Sequence, residues 1–347
     1  MSGIADVARH AGVSKATASR ALTGNGYVAP ETRRRVEQAA TELGYIASSS
    51  AASLVTGRTR NVGVILPGLT RWFFSEVLEG VQSTLLSHGH DLTLYDATPG
   101  TEGRSTIFAT FLGRKRFDGL IAVCIEPDHH EMERLLALGK PMVSIGSYDM
   151  GAASVAVDDT DAARRATEHL IDLGHRRIAF VGGPRTGMTH GDSLRLHAYL
   201  GAMSAAGLGD LSRHATSAVS MPGGYGAAVD LLGDSRDRPT AIVGVCDEVA
   251  IGAIIAARRL GLLVPSDLSV VGIDDHENAE MFALTTLQQR PREQGCLAAR
   301  LLLRRLDDPD AEREHIREAS RLVVRSSTAA ADAAQSAITA GVGRRRD

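Results

Sequence analysis

Residues 4–22 read IADVARHAGVSKATASRAL, and the spacing within this stretch decides the fold of the first part of the chain. Ile4, Val7, Ala8 and Ala11 fall at i, i+3, i+4 and i+7, so they share one face of a first helix. Gly12 ends that helix and permits a sharp turn, with Val13 as its apolar anchor. Ser14 stands where an N-cap belongs, opening a second helix that runs to about Leu22. TGNGY at 23–27 reads as a loop. Pro30 at a first helical position, followed by Glu31, Val36, Ala39, Ala40 and Leu43, predicts a third helix stopped by Gly44. The second helix is slim, and its Lys15 and Arg20 lie on a polar face. In a helix-turn-helix such an element enters the major groove. Ser14 would cap it, Lys15, Ala16 and Arg20 would reach base edges, and Thr17 and Ser19 would bond phosphates. The same local pattern also suits a three-helix domain built for protein contacts.

Working outward, charge separates this head from the rest. The 347-residue chain has a formal net charge of −3, yet residues 1–60 carry eight Lys and Arg against four acids, a balance of +4. The remainder is therefore −7. A basic head on an acidic body suggests that the first sixty residues meet a polyanion. Aromatic residues make up only 4%, so the core has to be built from Ala, Val, Ile and Leu.

After Gly57 the pattern changes to short apolar runs: VGVIL (62–66), LTLY (92–95), GLIAVCI (119–125), MVSI (142–145) and SVAV (154–157). The intervals between them are helical or too long for hairpins, which is the rhythm of parallel βαβ units. Phe74, Val77, Leu78, Val81 and Leu85 share the face of one crossover helix. The pattern restarts with IAFVG (178–182), AIVGV (241–245) and LSVVGI (268–273) and ends with RLVVR (321–325). Two doubly wound α/β lobes with parallel sheets follow, with ligands expected outside the carboxyl ends of the strands. The Ala-rich segment 328–347 reads as a flexible tail.

Several functions are disfavoured. No run reaches the roughly 18 apolar residues of a membrane span, and the N-terminus lacks a signal pattern, so a cytoplasmic protein is expected with no membrane partner. Cys124, Cys246 and Cys296 form no CxxC pair, and buried reduced thiols are the expectation. His129-His130 reads as a solvated pair, no metal-ligand spacing is present, and no cofactor is implied. Gly24-x-Gly26-x-x-Ala29 follows a helix rather than a strand and is not a dinucleotide fingerprint. Neither GxSxG, a Walker loop nor HExxH occurs, which argues against an α/β enzyme. A free solute-binding protein would explain the two lobes but not the basic head.

DVARHAGVSKATASRAL, ETRRRVEQAATELGYI and then Leu54 resemble the DNA-binding head of the lac repressor (LacI/GalR) family of bacterial transcriptional regulators. NVGVILPGLTRWFFSEVLEGV, HLIDLGHRRIAFVGG, CDEVAIGAI, VPSDLSVVGIDD and LTTLQQRPREQG follow in the family's order, so the resemblance covers residues 4 to about 326. It implies a helix-turn-helix domain (1–46), a hinge helix and linker (47–60) and a two-lobed, periplasmic-binding-protein-like effector and dimerisation domain (61–327). The implied function is a homodimeric repressor on a pseudo-palindromic DNA operator, switched by a small-molecule effector such as a sugar.

Carried over by position, Lys15, Ala16 and Arg20 match base-reading residues, and Leu54 matches the hinge leucine that wedges into the minor groove. Arg195 matches the arginine that grips ligand hydroxyls or carboxylates, and Asp274 an acidic ligand contact. Phe73 and Phe74 match an aromatic wall, although Phe74 also has the spacing of a core residue. Asp247 matches a further ligand position, with a helix cap or a supporting role as the alternative for it and for Asp275. The chain departs from the family pattern at Ala47-Ser48, where Pro-Asn is usual, and at Ala51-Ala52, where Ala-Arg is common. Weaker or differently tuned hinge contacts are expected from this. Gly146 replaces an aspartate of some sugar-responsive members, and Cys246 replaces the usual Asn or Ser.

Overall fold

The computed structural model describes residues 3–23, 26–45, 57–114, 116–146, 149–183 and 188–331. Leu54 and the hinge positions Ala47, Ser48, Ala51 and Ala52 lie outside the described residues.

The head contains α1 (Ile4–His10), α2 (Lys15–Thr23) and α3 (Pro30–Glu42). Its small core gathers Val7, Ala8, Ala18, Ala21, Val36, Ala39 and Ala40, the residues that helical spacing puts on inner faces. Gly12, at φ +65°, makes the turn that a side chain would strain, and Ser14 Oγ accepts the Thr17 N–H at 3.1 Å. Pro30 starts α3 after Ala29, and Gly44 at φ +59° follows its end. Arg33 and Arg35 donate to the carbonyls of Ala21 and Ala11. His10 Nε2 lies 2.7 Å from Glu42 Oε2, which joins α1 to α3.

The body is two sheets of six strands. The first lobe orders them β11-β5-β4-β3-β1-β2, all parallel, from β1 (Asn61–Leu66), β2 (Asp91–Asp96), β3 (Gly119–Val123), β4 (Met142–Ile145), β5 (Ala153–Val157) and β11 (His315–Glu318). The second is β12-β10-β9-β8-β6-β7, from β6 (Ile178–Val181), β7 (Arg213–Ala215), β8 (Ala241–Gly244), β9 (Ser269–Asp274), β10 (Thr285–Gln288) and β12 (Arg321–Val323). There β12 pairs antiparallel with β10, so the last apolar run is not a parallel strand. Central strands such as VGVIL and AIVG are wholly buried, as expected where helices cover both faces. The edge strands β7 and β11 are polar and half exposed, and the apolar pattern gave no sign of them.

The lobes are not consecutive halves of the chain. Between β5 and α7 (Asp159–Asp172) the chain enters the second lobe, and after β10 it returns as α11 (Pro291–Asp307) and β11 before crossing again to β12. The return is secured by close helix packing of α11 against α4 (Trp72–Ser87). A Cβ on Gly80 would sit 2.0 Å from the Arg292 carbonyl oxygen, and one on Gly295 would sit 2.2 Å from that of Val77. Glycine at both positions lets the two backbones meet, which suits a chain poor in large side chains.

Two expected boundaries shift. Residues 57–60 belong to the body as much as to the linker, because Asp118 accepts the Thr59 and Arg60 N–H groups at 2.9 and 2.8 Å. The flexible tail does not begin at 328. Thr328 meets His169, the Ala329 N–H donates to Ser269 Oγ, and the Ala331 N–H donates to Leu173 O. These bonds place the chain as far as 331 on the second lobe.

Candidate functional site

Two of the three crossovers, at Val157 and Asp159 and at Gln289, line a cleft between the lobes, together with the carboxyl ends of the strands and the first turns of the following helices. Its volume is 210 Å³. That is below the ~300–1,000 Å³ of sites for drug-sized ligands. Phe73 and Phe74 line it with rings 5.6 Å apart at 76°, and Phe74 also enters the core of the first lobe, so both readings of that residue hold. Ile125, Ile145, Met150 and Val157 complete an apolar wall.

Arg195 and Asp274 meet at the polar end. Arg195 projects from α8 (His190–Ala205), donating from Nε to Asp159 Oδ1 and from Nη1 to the Val245 carbonyl, each at 2.7 Å. Its Nη1 is 4.0 Å from Asp274 Oδ1. Burial opposes the charge on this guanidinium, but Asp159, Asp274 and Asp192 outweigh it and raise its pKa. Asp274 ends β9 at φ +134°, an unusual conformation for a side chain other than glycine. Gln289 donates to it, and Gln294 donates to Gln289 at 3.2 Å. Burial pushes the Asp274 carboxyl up, with Arg195 and Gln289 opposing. Gly146, at φ +116°, lines the cleft where some relatives of this pattern carry aspartate.

Asp247 does not line the cleft, contrary to the sequence expectation. It is fully buried behind β9, where its Oδ2 accepts the His276 N–H at 2.8 Å and its Oδ1 accepts the Thr286 hydroxyl at 2.7 Å. The carboxyl group therefore ties α10 (Asp247–Arg259) to the loop after β9 and to β10, and burial, with Asp274 nearby, pushes its pKa up. Asp275 is likewise structural, held by Arg325 at 2.7 Å and by Gln288.

Several cleft residues were not apparent in the sequence. Arg71 of the first lobe donates to Glu248 of the second at 3.3 Å, and beside it the Trp72 ring lies 4.8 Å from that of His276, tilted by 42°. Glu126 accepts the His190 N–H at the start of α8. Asp192 lies one helical turn before Arg195, and that i, i+3 spacing was the available signal. Asp192 Oδ2 and Ser144 Oγ are both buried at the cleft without a hydrogen-bond partner. Burial raises the Cys124 and Cys246 thiols to about 12, which keeps them protonated and unreactive. All three cysteines are free.

On the head, Lys15, Ala16 and Arg20 are exposed on α2, while Thr17 and Ser19 are half-buried. The Thr17 hydroxyl pairs with Ser14 Oγ at 2.8 Å, and Arg20 Nε donates to the Ala16 carbonyl at 3.3 Å. The base-reading candidates thus share an open face, whereas Ser14 and Thr17 already serve the cap. His129 and His130 are exposed and face Glu133. Among the described residues no group of three or more His, Cys, Asp or Glu is arranged to hold a metal ion, and no helix is long and apolar enough to cross a membrane.

A helix-turn-helix head on a two-lobed body with a polar interlobe cleft defines a class: the ligand-responsive, DNA-binding transcriptional regulators. Residues 3–48 match the model of bacterial regulatory proteins of the lacI family, and residues 167–328 match the periplasmic binding protein-like domain. The chain is 34% identical to the HTH-type transcriptional repressor PurR of Edwardsiella ictaluri (strain 93-146) over 341 residues, 95% of this chain and 97% of that one. It is 32% identical to the ribose operon repressor of Escherichia coli (strain K12) over 333 residues, 94% and 100% of the two chains. Among solved structures, the lac repressor dimer bound to operator and the anti-inducer ONPF superposes with a TM-score of 0.84 at 27% identity, covering 95% of this chain and 99% of that one. A LacI family regulator from Enterococcus faecium with bound ribose gives 0.70 at 27% identity, covering 78% and 100%. The chain belongs to the lacI family of bacterial regulatory proteins.

Proposed function

We propose that the chain represses transcription as a homodimer on a pseudo-palindromic operator and that a small sugar-like metabolite, bound between the lobes, switches it. The observation that carries this reading is the Arg195 clamp, held by Asp159 and facing Asp274, inside a cleft that both lobes close. A fork of donors beside carboxylate acceptors suits a ligand rich in hydroxyls, and the aromatic wall suits its apolar face. A cleft of 210 Å³ suits a small ligand in this arrangement of the lobes.

The heads of two subunits would read successive major grooves through Lys15, Ala16 and Arg20, with Ser19 at phosphates. Ser14 and Thr17 would act there chiefly by holding the helix start. The segment 47–56, with Leu54 as its apolar wedge, would fold in the central minor groove. Residues 1–46 would be the reading head, and the body would dimerise beside the hinge. Ligand closure changes the spacing of the first lobes and thereby permits or disfavours hinge folding, so effector and operator affinities are linked. A cytoplasmic location follows from this role, and the role calls for neither catalysis nor a cofactor.

The test is a shift assay of full-length protein on random and genomic fragments, with a panel of sugars and related metabolites added. A sequence-selective complex whose affinity changes with one metabolite supports the reading; sequence-independent binding that no metabolite alters overturns it.

A further inference from the structure

The cleft holds two buried polar atoms that have no hydrogen-bond partner among the described residues, one from each lobe. Asp192, on α8 of the second lobe, is 8% exposed, and its Oδ2 has no hydrogen-bond partner among the described residues. Ser144, on β4 of the first lobe, is 2% exposed, and its hydroxyl has no partner. Both line the cavity. A buried carboxylate without a donor is costly, and so is a buried hydroxyl without a partner. Two such groups facing one cavity mark where a ligand completes the structure.

The charges around them narrow the ligand's chemistry. Among the described residues, four carboxylates line the cleft, those of Glu126, Asp159, Asp192 and Asp274, against two guanidiniums, those of Arg71 and Arg195. Each guanidinium already has a carboxylate partner. Arg195 is engaged by Asp159 and faces Asp274, and Arg71 is engaged by Glu248. An anionic ligand would have to compete with these carboxylates for the guanidiniums and would add negative charge beside Asp192, which the same two arginines balance. A ligand hydroxyl instead donates to Asp192, and another exchanges a hydrogen bond with Ser144.

We infer that Asp192 and Ser144 form a cross-lobe recognition pair for an uncharged polyol, and that the cleft rejects phosphorylated or carboxylated forms of the same compound. This deepens the proposed metabolite-binding role and rests on it. Satisfying both groups requires the lobes to be together, so the ligand's hydroxyls themselves draw the lobes closed.

The experiment uses full-length protein, titrated by calorimetry with a panel of neutral pentoses, hexoses and alditols, each beside its phosphate ester and its aldonic acid. A neutral member should bind at least about tenfold more tightly than its anionic partners. Asp192→Asn should weaken its binding by about tenfold or more and narrow the discrimination against the acid. Ser144→Ala, on the opposite lobe, should weaken the same ligand without narrowing that discrimination. Circular dichroism and operator binding confirm that each variant folds; should Asp192→Asn not fold, Ser144→Ala and the wild-type discrimination decide.

Binding of an anionic member as tightly as its neutral parent overturns the inference, as does absence of any neutral binder. So does wild-type affinity in both variants, even where the ligand still changes operator affinity, an outcome that leaves the proposed regulatory role intact. A neutral ligand that depends on Asp192 and Ser144 yet leaves operator affinity unchanged upholds the recognition pair and removes the regulatory role.

Discussion

Arg71 Nε lies 3.3 Å from Glu248 Oε2, although 177 residues separate the two positions. Arg71 precedes α4 in the first lobe and Glu248 opens α10 in the second, so this bond latches the lobes on the rim of the cleft. The pair is partly shielded, with 30% and 14% of the side chains exposed, and its worth is about 1 kcal/mol after screening. Glu248→Gln should lower effector affinity by the corresponding few-fold factor. An effector affinity equal to wild type, measured by titration, would show that the latch does not contribute to closure.

Trp72 is the only tryptophan in the chain and lies beside the His276 ring across the lobe boundary. Its fluorescence therefore reports lobe closure without a label. Saturating effector should change its emission in wild type, and His276→Ala should diminish that change. A signal unaffected by effector would place the movement elsewhere.

Asp247 should matter for stability more than for effector contact. Asp247→Ala removes the acceptor for both the His276 N–H and the Thr286 hydroxyl, at a cost of about 2–4 kcal/mol. Denaturant unfolding measures this directly. Effector affinity of the folded fraction should change far less than in Arg195→Ala, and an equal loss would return Asp247 to the ligand site.

The second lobe also carries a pH signature. Burial lowers the pKa of His175, which bonds Thr240 Oγ1 at 2.9 Å and the Ala329 carbonyl at 3.0 Å. Its folded value lies below the unfolded ~6.5, so the unfolded state binds more protons in between. The contribution of neutral His175 is complete above about pH 6.5 and is lost as pH falls toward the folded value. The raised carboxyls of Asp247 and Asp274 act in the opposite direction, so the test is a difference. Wild-type stability minus that of His175→Gln should shrink as pH falls below about 6.5; a constant difference would contradict the assignment.

At the head, Arg20→Ala should cost about 1–3 kcal/mol of specific operator affinity while leaving effector binding intact. Quantitative shift assays on operator and random DNA separate the two effects. Equal losses on both DNAs would remove Arg20 from base readout.

The sequence revealed what depends on local periodicity. Ser14 as a cap, Gly12 as a turn and the buried face of Phe74, Val77, Val81 and Leu85 all follow from spacing, and the structure has them so. Family resemblance pointed to Arg195 and Asp274, the second within the contiguous motif VPSDLSVVGIDD, and both line the cleft. It misplaced Asp247, since a residue at a helix start can face a cleft or the back of a strand, and only β9 and β10 decide which. The return of α11 to the first lobe was invisible because it depends on Gly80 meeting Arg292, a contact between distant segments. Polar edge strands such as HIRE at 315–318 lack the apolar pattern that marks buried ones.

The most direct test of the central claim compares operator affinity with and without saturating effector in wild type and in Arg195→Ala. The wild-type operator Kd should change by about 5–150-fold, as expected of a coupling of 1–3 kcal/mol. Arg195→Ala should bind the operator with an affinity that effector no longer moves. An identical response in the variant, or an unresponsive wild type, would contradict the account of the interlobe cleft as the switch.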